Sequence, residues 1–480
     1  MDFKSMLERS KARIAELAQA PAIMDVIHPE DDDDEAQNTT PEPPKASGSV
    51  ALSSEQEDVI ALVEAGHNVL VTGSAGTGKS TLLRALRERF KNRLPVAATT
   101  GIAAVNVAGV TLHSWAGLGL GELSAKAIAR GIVSKQGKPY SNITSHDRLA
   151  LDEVSMLSAE LFTKIDHVFR YVRKNDKPFG GMQLILFGDF LQLPPVIKDQ
   201  AEGCHGVFAF ESKSWTEASI RVAILKKVFR QADAEFSQAL NDIRIGNYTP
   251  LVSRLLLSRY RQQDPNPEIE PVVVHTHNVD VETFNEGRLN RLDGDAIEYY
   301  ATDTGRESAV KLLEKNCLAP TLLRLKVGAQ VMLLFNMEPE SGLANGSIGV
   351  ITGFSSGPGL RRPIVKFANG ATRELERESW QIKDDNKVVA ERFQIPLRLA
   401  WSITVHKSQG MTLDKIKVFL AKCFADGQAY VAMSRARTLN GLFIESGTKA
   451  CIRASEAAVA FYKTEAEKTA ALASKAPVAK

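Results

Sequence analysis

Cysteine is scarce in this 480-residue chain: the four present, Cys204, Cys317, Cys423 and Cys451, lie far apart, and no pair has zinc-ligand spacing. That excludes a disulfide framework or a thiol metal cluster and points to a reducing compartment. No apolar run approaches the roughly 20 residues that cross a bilayer, which excludes a membrane-spanning helix. The N-terminus begins Met1-Asp2 and soon turns acidic, a pattern that fits neither a secretory signal nor an Arg-rich transit peptide. The expected setting is therefore cytoplasmic and nucleoid-associated, in a bacterial or phage-infected cell.

With 44% hydrophobic and 24% charged residues, the composition is that of an ordinary globular protein, and its length calls for two to four domains. The net charge of +2 conceals an asymmetry. Residues 21–45 carry eight acids (Asp25, Glu30, Asp31, Asp32, Asp33, Asp34, Glu35, Glu42) against one base, Lys45. The rest of the chain keeps 58 bases against 49 acids. Such a body suits a polyanionic partner, and it equally serves solubility.

Phe3, Met6, Leu7, Ile14 and Leu17 have helical spacing, after which Pro21, the Asp31–Glu35 run, Pro41, Pro43 and Pro44 break regular structure. Residues 1–50 therefore read as a short helix on a disordered acidic tether. The helix could dock a protein partner through residues 1–20, pack back or stay loose; the tether could mimic DNA, bind a partner or only aid solubility. From Leu52 the texture changes to short apolar runs, Val69–Thr72, Val96–Thr99, Leu149–Asp152 and Leu184–Phe187, each followed by a loop or helix, as in a parallel βαβ sheet. Gln231–Arg261 reads as helix. Between Val327 and Trp401 the runs Val331–Phe335, Gly349–Phe354 and Ile364–Phe367 alternate with the turns Asn345-Gly346 and Asn369-Gly370, which predicts a small inserted β-barrel. The Ala/Lys/Glu-rich end from Ser455 predicts a helix with a frayed tail.

Three segments carry chemistry. Gly73, Ser74, Ala75, Gly76, Thr77, Gly78, Lys79 and Ser80 match G-x-x-x-x-G-K-[ST] between a strand and a helix that starts near Thr81. Glycines let backbone amides wrap phosphates, Lys79 offsets β/γ charge, and Ser80 suits Mg²⁺. An apolar strand ending in Asp152-Glu153 lets Asp152 hold Mg²⁺ and Glu153 polarise the attacking water. A third strand ends in Gly188-Asp189, a turn that would aim Gln192 at the γ-phosphate. ATP and Mg²⁺ are the expected cofactors.

This succession, over roughly residues 51–445, resembles the Pif family of superfamily 1B DNA helicases, relatives of RecD and the phage Dda helicase. The segments Asp152–Leu157 and Arg173–Gly181 are similar to the insert that separates Pif helicases from RecD. The resemblance implies an α/β fold with two RecA-like P-loop core domains, residues 51–230 and 231–450. A small wedge insertion falls at about 117–147 in the first, whose residues match no assignable pattern, and an SH3-like β-barrel at about 335–395 in the second. Residues 451–480 are left as a C-terminal helix and tail.

The resemblance also implies that Gln56 reads adenine, with Gly73–Ser80 and Thr81 completing the nucleotide site, and that Arg230 and Arg435 act as arginine fingers. Thr100, Gly101 and His113, with the Trp115 ring, and Thr404, His406, Lys407 and Ser408 would face a DNA strand, by the base stacking and phosphate contacts that a motor needs. The expected activity is ATP-dependent 5′-to-3′ translocation on single-stranded DNA and unwinding of duplex or structured DNA in replication, recombination or repair. Single-stranded and forked DNA would be the partners of a monomeric motor. Two other readings are an ATP-driven translocase or remodeller acting on RNA–DNA hybrids or protein–DNA complexes, and a P-loop switch or loading module without unwinding. Arginine fingers on a second core speak against the switch, and the lack of a further acid cluster at metal-site spacing speaks against a linked nuclease.

Overall fold

The computed structural model describes residues 52–473 except 108, 120–122, 196–205, 232, 265–267, 276–277, 336, 338–342, 344, 356–360 and 385–386. The expected helix at 1–20, the acidic tether and the tail beyond residue 473 fall outside the described residues.

The short apolar runs form strands β1 (Val69–Gly73), β2 (Val96–Ala98), β3 (Val110–Thr111), β4 (Arg148–Asp152), β5 (Gln183–Phe187) and β6 (Arg221–Leu225). They lie in the order β3-β2-β4-β5-β1-β6, every pairing parallel. Alternate residues feed two separate cores, as strand geometry requires. Leu70, Leu184 and Leu186 meet the helix Ala159–Arg173 through Phe162, Ile165 and Phe169. Val69, Val71, Ile185 and Phe187 meet the helices Ser54–Glu64 and Lys79–Phe90 through Val59, Leu82 and Leu86. Both faces are covered, which is why β1 and β5 read as unbroken apolar runs. Each fully buried aliphatic or aromatic side chain contributes about 1.5–3 kcal/mol.

A second, four-stranded parallel sheet orders Ser402–Thr404, Val272–His275, Ile416–Phe419 and Leu442–Ser446. In place of one helix over Gln231–Arg261 stand two, Ala234–Arg244 and Pro250–Arg259. Gly246 at φ +74 makes the break, and the Thr249 hydroxyl accepts from the Val252 amide to start the second. The antiparallel region is broader than residues 335–395. Five strands run from Gln330 to Leu399, while the hairpin Glu378–Gln394 pairs with Thr302–Gly305 in a separate three-stranded sheet. Gly346 and Gly370 take positive φ at the two Asn-Gly turns, as expected.

In the stretch 117–147 the helices Ala125–Lys135 and Lys138–Ser145 flank the helix Ala159–Arg173. The last helix, Glu456–Ala473, returns to the first sheet, where Ala458, Phe461 and Tyr462 join the core of Phe162 and Phe169.

Asp166 ties three segments of that core together. Its carboxylate has no solvent exposure and accepts two bonds from Arg170, one from the Phe179 amide at 2.6 Å and one from the Ser214 hydroxyl at 2.7 Å. Burial acts to raise its pKa, but Arg170, the Phe179 amide and Ser214 outweigh it and hold the carboxyl below the usual range. Asp166→Ala is expected to cost about 3 kcal/mol, because it strands buried donors. The folded-state pKa is depressed, so the contribution of Asp166 is present above the unfolded value of about 3.9 and is lost as pH falls through the folded value. Urea unfolding of wild type and variant at pH 7 and below pH 4 checks both; equal stabilities at pH 7 would refute the role.

Candidate active site

The C-terminal ends of parallel strands share one edge of a sheet, so β1, β4 and β5 deliver their following loops to the same side. After β1 comes the glycine-rich loop. Gly76 and Gly78 both take φ +83, where a side chain would be strained, and the neighbours allow none: a Cβ at Gly76 would lie 2.4 Å from the Arg230 Cβ, and one at Gly78 would lie 2.7 Å from the Gln56 amide nitrogen. The helix starts at Lys79, two residues earlier than expected. Its ammonium donates to the Gly73 and Ser74 carbonyls at 2.7 and 3.0 Å, and burial lowers its pKa to about 8, against the raising effect of Asp189. Thr77 donates to the Ser74 carbonyl, Ser80 is exposed and Thr81 half-buried at the first turn of the helix.

After β4 come the two acids. The Glu153 amide donates to Asp152 Oδ1 at 2.9 Å, and Glu153 itself takes φ +55, a conformation that bulky residues seldom adopt and that costs roughly 1–3 kcal/mol. The Thr99 hydroxyl holds this bend by donating to the Glu153 carbonyl at 2.7 Å. Burial raises the pKa of both carboxyls, and the charge of Asp152 raises that of Glu153 further.

After β5 comes Gly188-Asp189. Asp189 is 1% exposed and accepts both arms of Arg244 at 2.7 and 2.8 Å, a pair that keeps its pKa low although burial pushes it up. Gln192 sits beside it at 3.5 Å.

The second parallel sheet closes on this edge. Gln409 donates to Glu153 Oε2 at 2.8 Å and approaches Gln192 Oε1 at 3.5 Å. The Ala75 amide, in the middle of the glycine-rich loop, donates to the Tyr430 hydroxyl at 2.8 Å. Arg230 reaches the Ser434 carbonyl at 3.2 Å. Arg435 is 2% exposed, bonded to the Val431 carbonyl and the Ser434 hydroxyl, and close enough to Glu153 for the carboxylate to favour its charge.

Lys79, Asp152, Glu153, Gln192, Arg230 and Arg435 thus converge. Gln56 is 3% exposed, its side-chain carbonyl accepts from the Ser53 amide and its side-chain amide donates to the Gly78 carbonyl at 3.3 Å, which ties it to the loop. Beside it Phe229 is 54% exposed next to Gly78, with the Lys227 ammonium over its ring at 5.1 Å.

The strand-facing set divides. Thr100, Gly101 and His113 are half-buried near the ends of β2 and β3, and burial lowers the pKa of His113. Trp115, 3% exposed, packs 5.9 Å from Phe169 and is a core residue rather than a stacking platform. Thr404 and Ser408 do not present their hydroxyls outward. Thr404, 1% exposed, caps the short helix Val405–Ser408 by accepting from the Lys407 amide, and Ser408 donates to the Val405 carbonyl. His406 and Lys407 remain half-exposed on that helix.

The residues that sequence reasoning passed over are Gln409, Asp189, Tyr430, Arg244 and Tyr462. Asp189 reads only as part of a turn, Gln409 directly follows Ser408, and Tyr430 lies five residues before Arg435; nothing local marks Arg244 or Tyr462.

The sequence profile described as PIF1-like helicase matches residues 51–262, and that of the DNA helicase Pif1 2B domain matches residues 310–354. The ATP-dependent DNA helicase PIF1 of Homo sapiens is 41% identical over 418 residues, 86% of this chain and 64% of that protein, so the chain spans less than two-thirds of the relative's length. A crystal structure of Bacteroides sp Pif1 in complex with ADP-AlF4 superposes with a TM-score of 0.74 at 32% identity, over 88% of this chain and 98% of that one. Bacteroides Pif1 in complex with ADP-AlF3 and single-stranded DNA gives 0.58 at 32% identity, over 87% and 98%. The expectation of a bacterial or phage-infected setting is overturned, since curated relatives at this similarity come from frog, human and yeast.

Gly76→Ala is expected to move Arg230 off the loop and to lower both stability, by about 1–3 kcal/mol, and nucleotide affinity. Thermal unfolding and titration with a fluorescent ATP analogue check this; unchanged affinity would show that the loop does not need that close approach.

Proposed function

Because the chain belongs to the PIF1-like helicase family, whose members it matches across most of its described length, we propose that it hydrolyses ATP and converts each cycle into a 5′-to-3′ step along single-stranded DNA, unwinding duplex ahead. The observation that carries this reading is Gln409: this side chain, at the end of the short helix Val405–Ser408 that follows a strand of the second parallel sheet, hydrogen-bonds to Glu153 just after β4 of the first, so the carboxylate meant to activate water is shared across the cleft. Any change in charge at that carboxylate is felt by both halves. Such a contact suits a cleft that opens and closes with the nucleotide.

Within this reading the glycine-rich amides and Lys79 bind the β- and γ-phosphates. Glu153, bent toward the edge by its backbone, orients the attacking water. Gln192 and Gln409 hold polar groups over the γ-phosphate, and Arg230 and Arg435 offset charge on the transferring phosphoryl group. The exposed Phe229 ring, with Lys227 over one face, offers adenine a stacking surface, and Gln56 shapes the floor. The donors Ser80 and Asp152 are both oxygen, the ligand type that Mg²⁺ takes, and no group of three or more His, Cys, Asp or Glu side chains able to hold a metal occurs among the described residues. A Mg²⁺ held there would therefore rely on the phosphates for further ligands, and it would offset β/γ charge.

On the DNA side, His406 and Lys407 on the helix Val405–Ser408 and Thr100, Gly101 and His113 near the ends of β2 and β3 are half-exposed and would meet the strand. Contacts to phosphates and main chain suffice for sequence-independent stepping. Single-stranded and forked DNA are the proposed partners, with one chain as the motor. No helix among the described residues is long and apolar enough to cross a membrane.

Lys79→Ala is expected to abolish DNA-stimulated phosphate release and unwinding while single-strand affinity, read by fluorescence anisotropy, stays within a few-fold. Turnover retained in that variant would sink the motor reading. Polarity is checked on partial duplexes carrying one tail: faster unwinding of the 5′-tailed form is expected, and preference for the 3′-tailed form would reverse the direction.

A further inference from the structure

The helix Glu456–Ala473 follows the second parallel sheet in sequence, yet it packs on the first. Phe461 stacks on Phe210 with ring centroids 4.4 Å apart, and both Phe190 and Trp215 meet it edge-on. This docking carries the next residue, Tyr462, beneath the active-site edge.

The Tyr462 hydroxyl has two partners. It lies 2.7 Å from the hydroxyl of Thr72, the residue immediately before the glycine-rich loop, and it accepts from the Phe190 amide at 3.0 Å, in the turn that carries Asp189 and Gln192. Its ring also carries the Arg244 guanidinium at 5.2 Å, the group that grips Asp189 with both arms. A single side chain therefore joins the root of the phosphate loop, the turn after β5 and the Asp189–Arg244 pair. None of these bonds is needed for the helix to dock, because Phe461 and its aromatic neighbours supply the apolar contact.

We propose that Tyr462 is a positioning residue for ATP hydrolysis, its hydroxyl fixing the turn that bears Gln192 relative to the glycine-rich loop. The inference rests on the reading of this edge as an ATP-hydrolysing site. Its physical basis is that a sensor side chain and a phosphate loop must hold their relative placement closely for transition-state contacts to form, and a hydroxyl bonded to the Thr72 hydroxyl at the root of the loop and to the Phe190 amide in the turn sets that placement. Tyr462 holds Thr72 and Phe190, the residues that flank the glycine-rich loop and the Gln192 turn, so its loss acts through the placement of those two segments.

The test is Tyr462→Phe, which removes the hydroxyl and keeps the ring, in the full chain with single-stranded DNA present. The expected result is a fall in kcat for phosphate release of about tenfold, equivalent to about 1.4 kcal/mol of barrier, with KM for ATP within twofold and an unfolding midpoint within a few degrees of wild type. Arg244→Lys, which keeps the charge and gives up the two-armed grip on Asp189, is expected to show the same split between kcat and KM. A Tyr462→Phe enzyme with wild-type kcat overturns the proposal, as does a loss of kcat matched by an equal rise in KM and a large drop in midpoint, the signature of a merely structural role. Wild-type protein without DNA-stimulated hydrolysis would instead overturn the functional reading itself, and the two failures are told apart by that control.

Discussion

A carboxylate sealed from water must be paired, and Asp189 is paired by Arg244 at the point where the two parallel sheets meet. Burying one ion of such a pair alone costs several kcal/mol, so the helix Ala234–Arg244 cannot leave the turn after β5 without exposing or stranding a charge. The remaining geometry hangs on that attachment. Gln192 follows Asp189 by three residues, Tyr462 lies against Arg244, and the Lys79 ammonium has its charge supported by Asp189. Around the same point sit three further arginine or lysine groups, Lys79, Arg230 and Arg435, with Asp152 and Glu153. Closely spaced charges of both signs give a site whose balance shifts when a polyanionic nucleotide enters.

Backbone strain is placed where it serves this site. Glu153 is bent into a left-handed conformation directly after a regular parallel strand, and the Thr99 hydroxyl and the Asp152 carboxylate hold the bend. Gly76 and Gly78 provide the same kind of reversal without a side chain, which lets Arg230 and Gln56 approach the loop more closely than any other residue would allow.

What the sequence made legible was local. The glycine-rich loop, the strand-end acids and the Asn-Gly turns are written in consecutive residues, and each appears where expected. Asp189 passed for a turn residue because its partner lies 55 positions on, and Tyr430 carried no visible link to Ala75, 355 positions away. Burial is equally invisible in a motif: Thr404 and Ser408 carry hydroxyls suited to phosphates, but the short helix Val405–Ser408 turns them into its own caps. The helix break at Gly246 was readable from glycine followed by Thr249-Pro250, and the apolar periodicity on either side masked it. The three-stranded sheet was out of reach, because its strand Thr302–Gly305 pairs with residues some 90 positions later.

The return of the last helix to the first sheet has a mechanical meaning. Chain connects the second sheet to the first at two places, ahead of the helix Ala234–Arg244 and ahead of the helix Glu456–Ala473. A body tied at one point can swivel in any direction, whereas a body tied at two can turn freely only about the line that joins them. With the chain crossing twice, the second sheet has less freedom to move against the first than a single tether would leave it, as a door hung at two points has less than one hung at one.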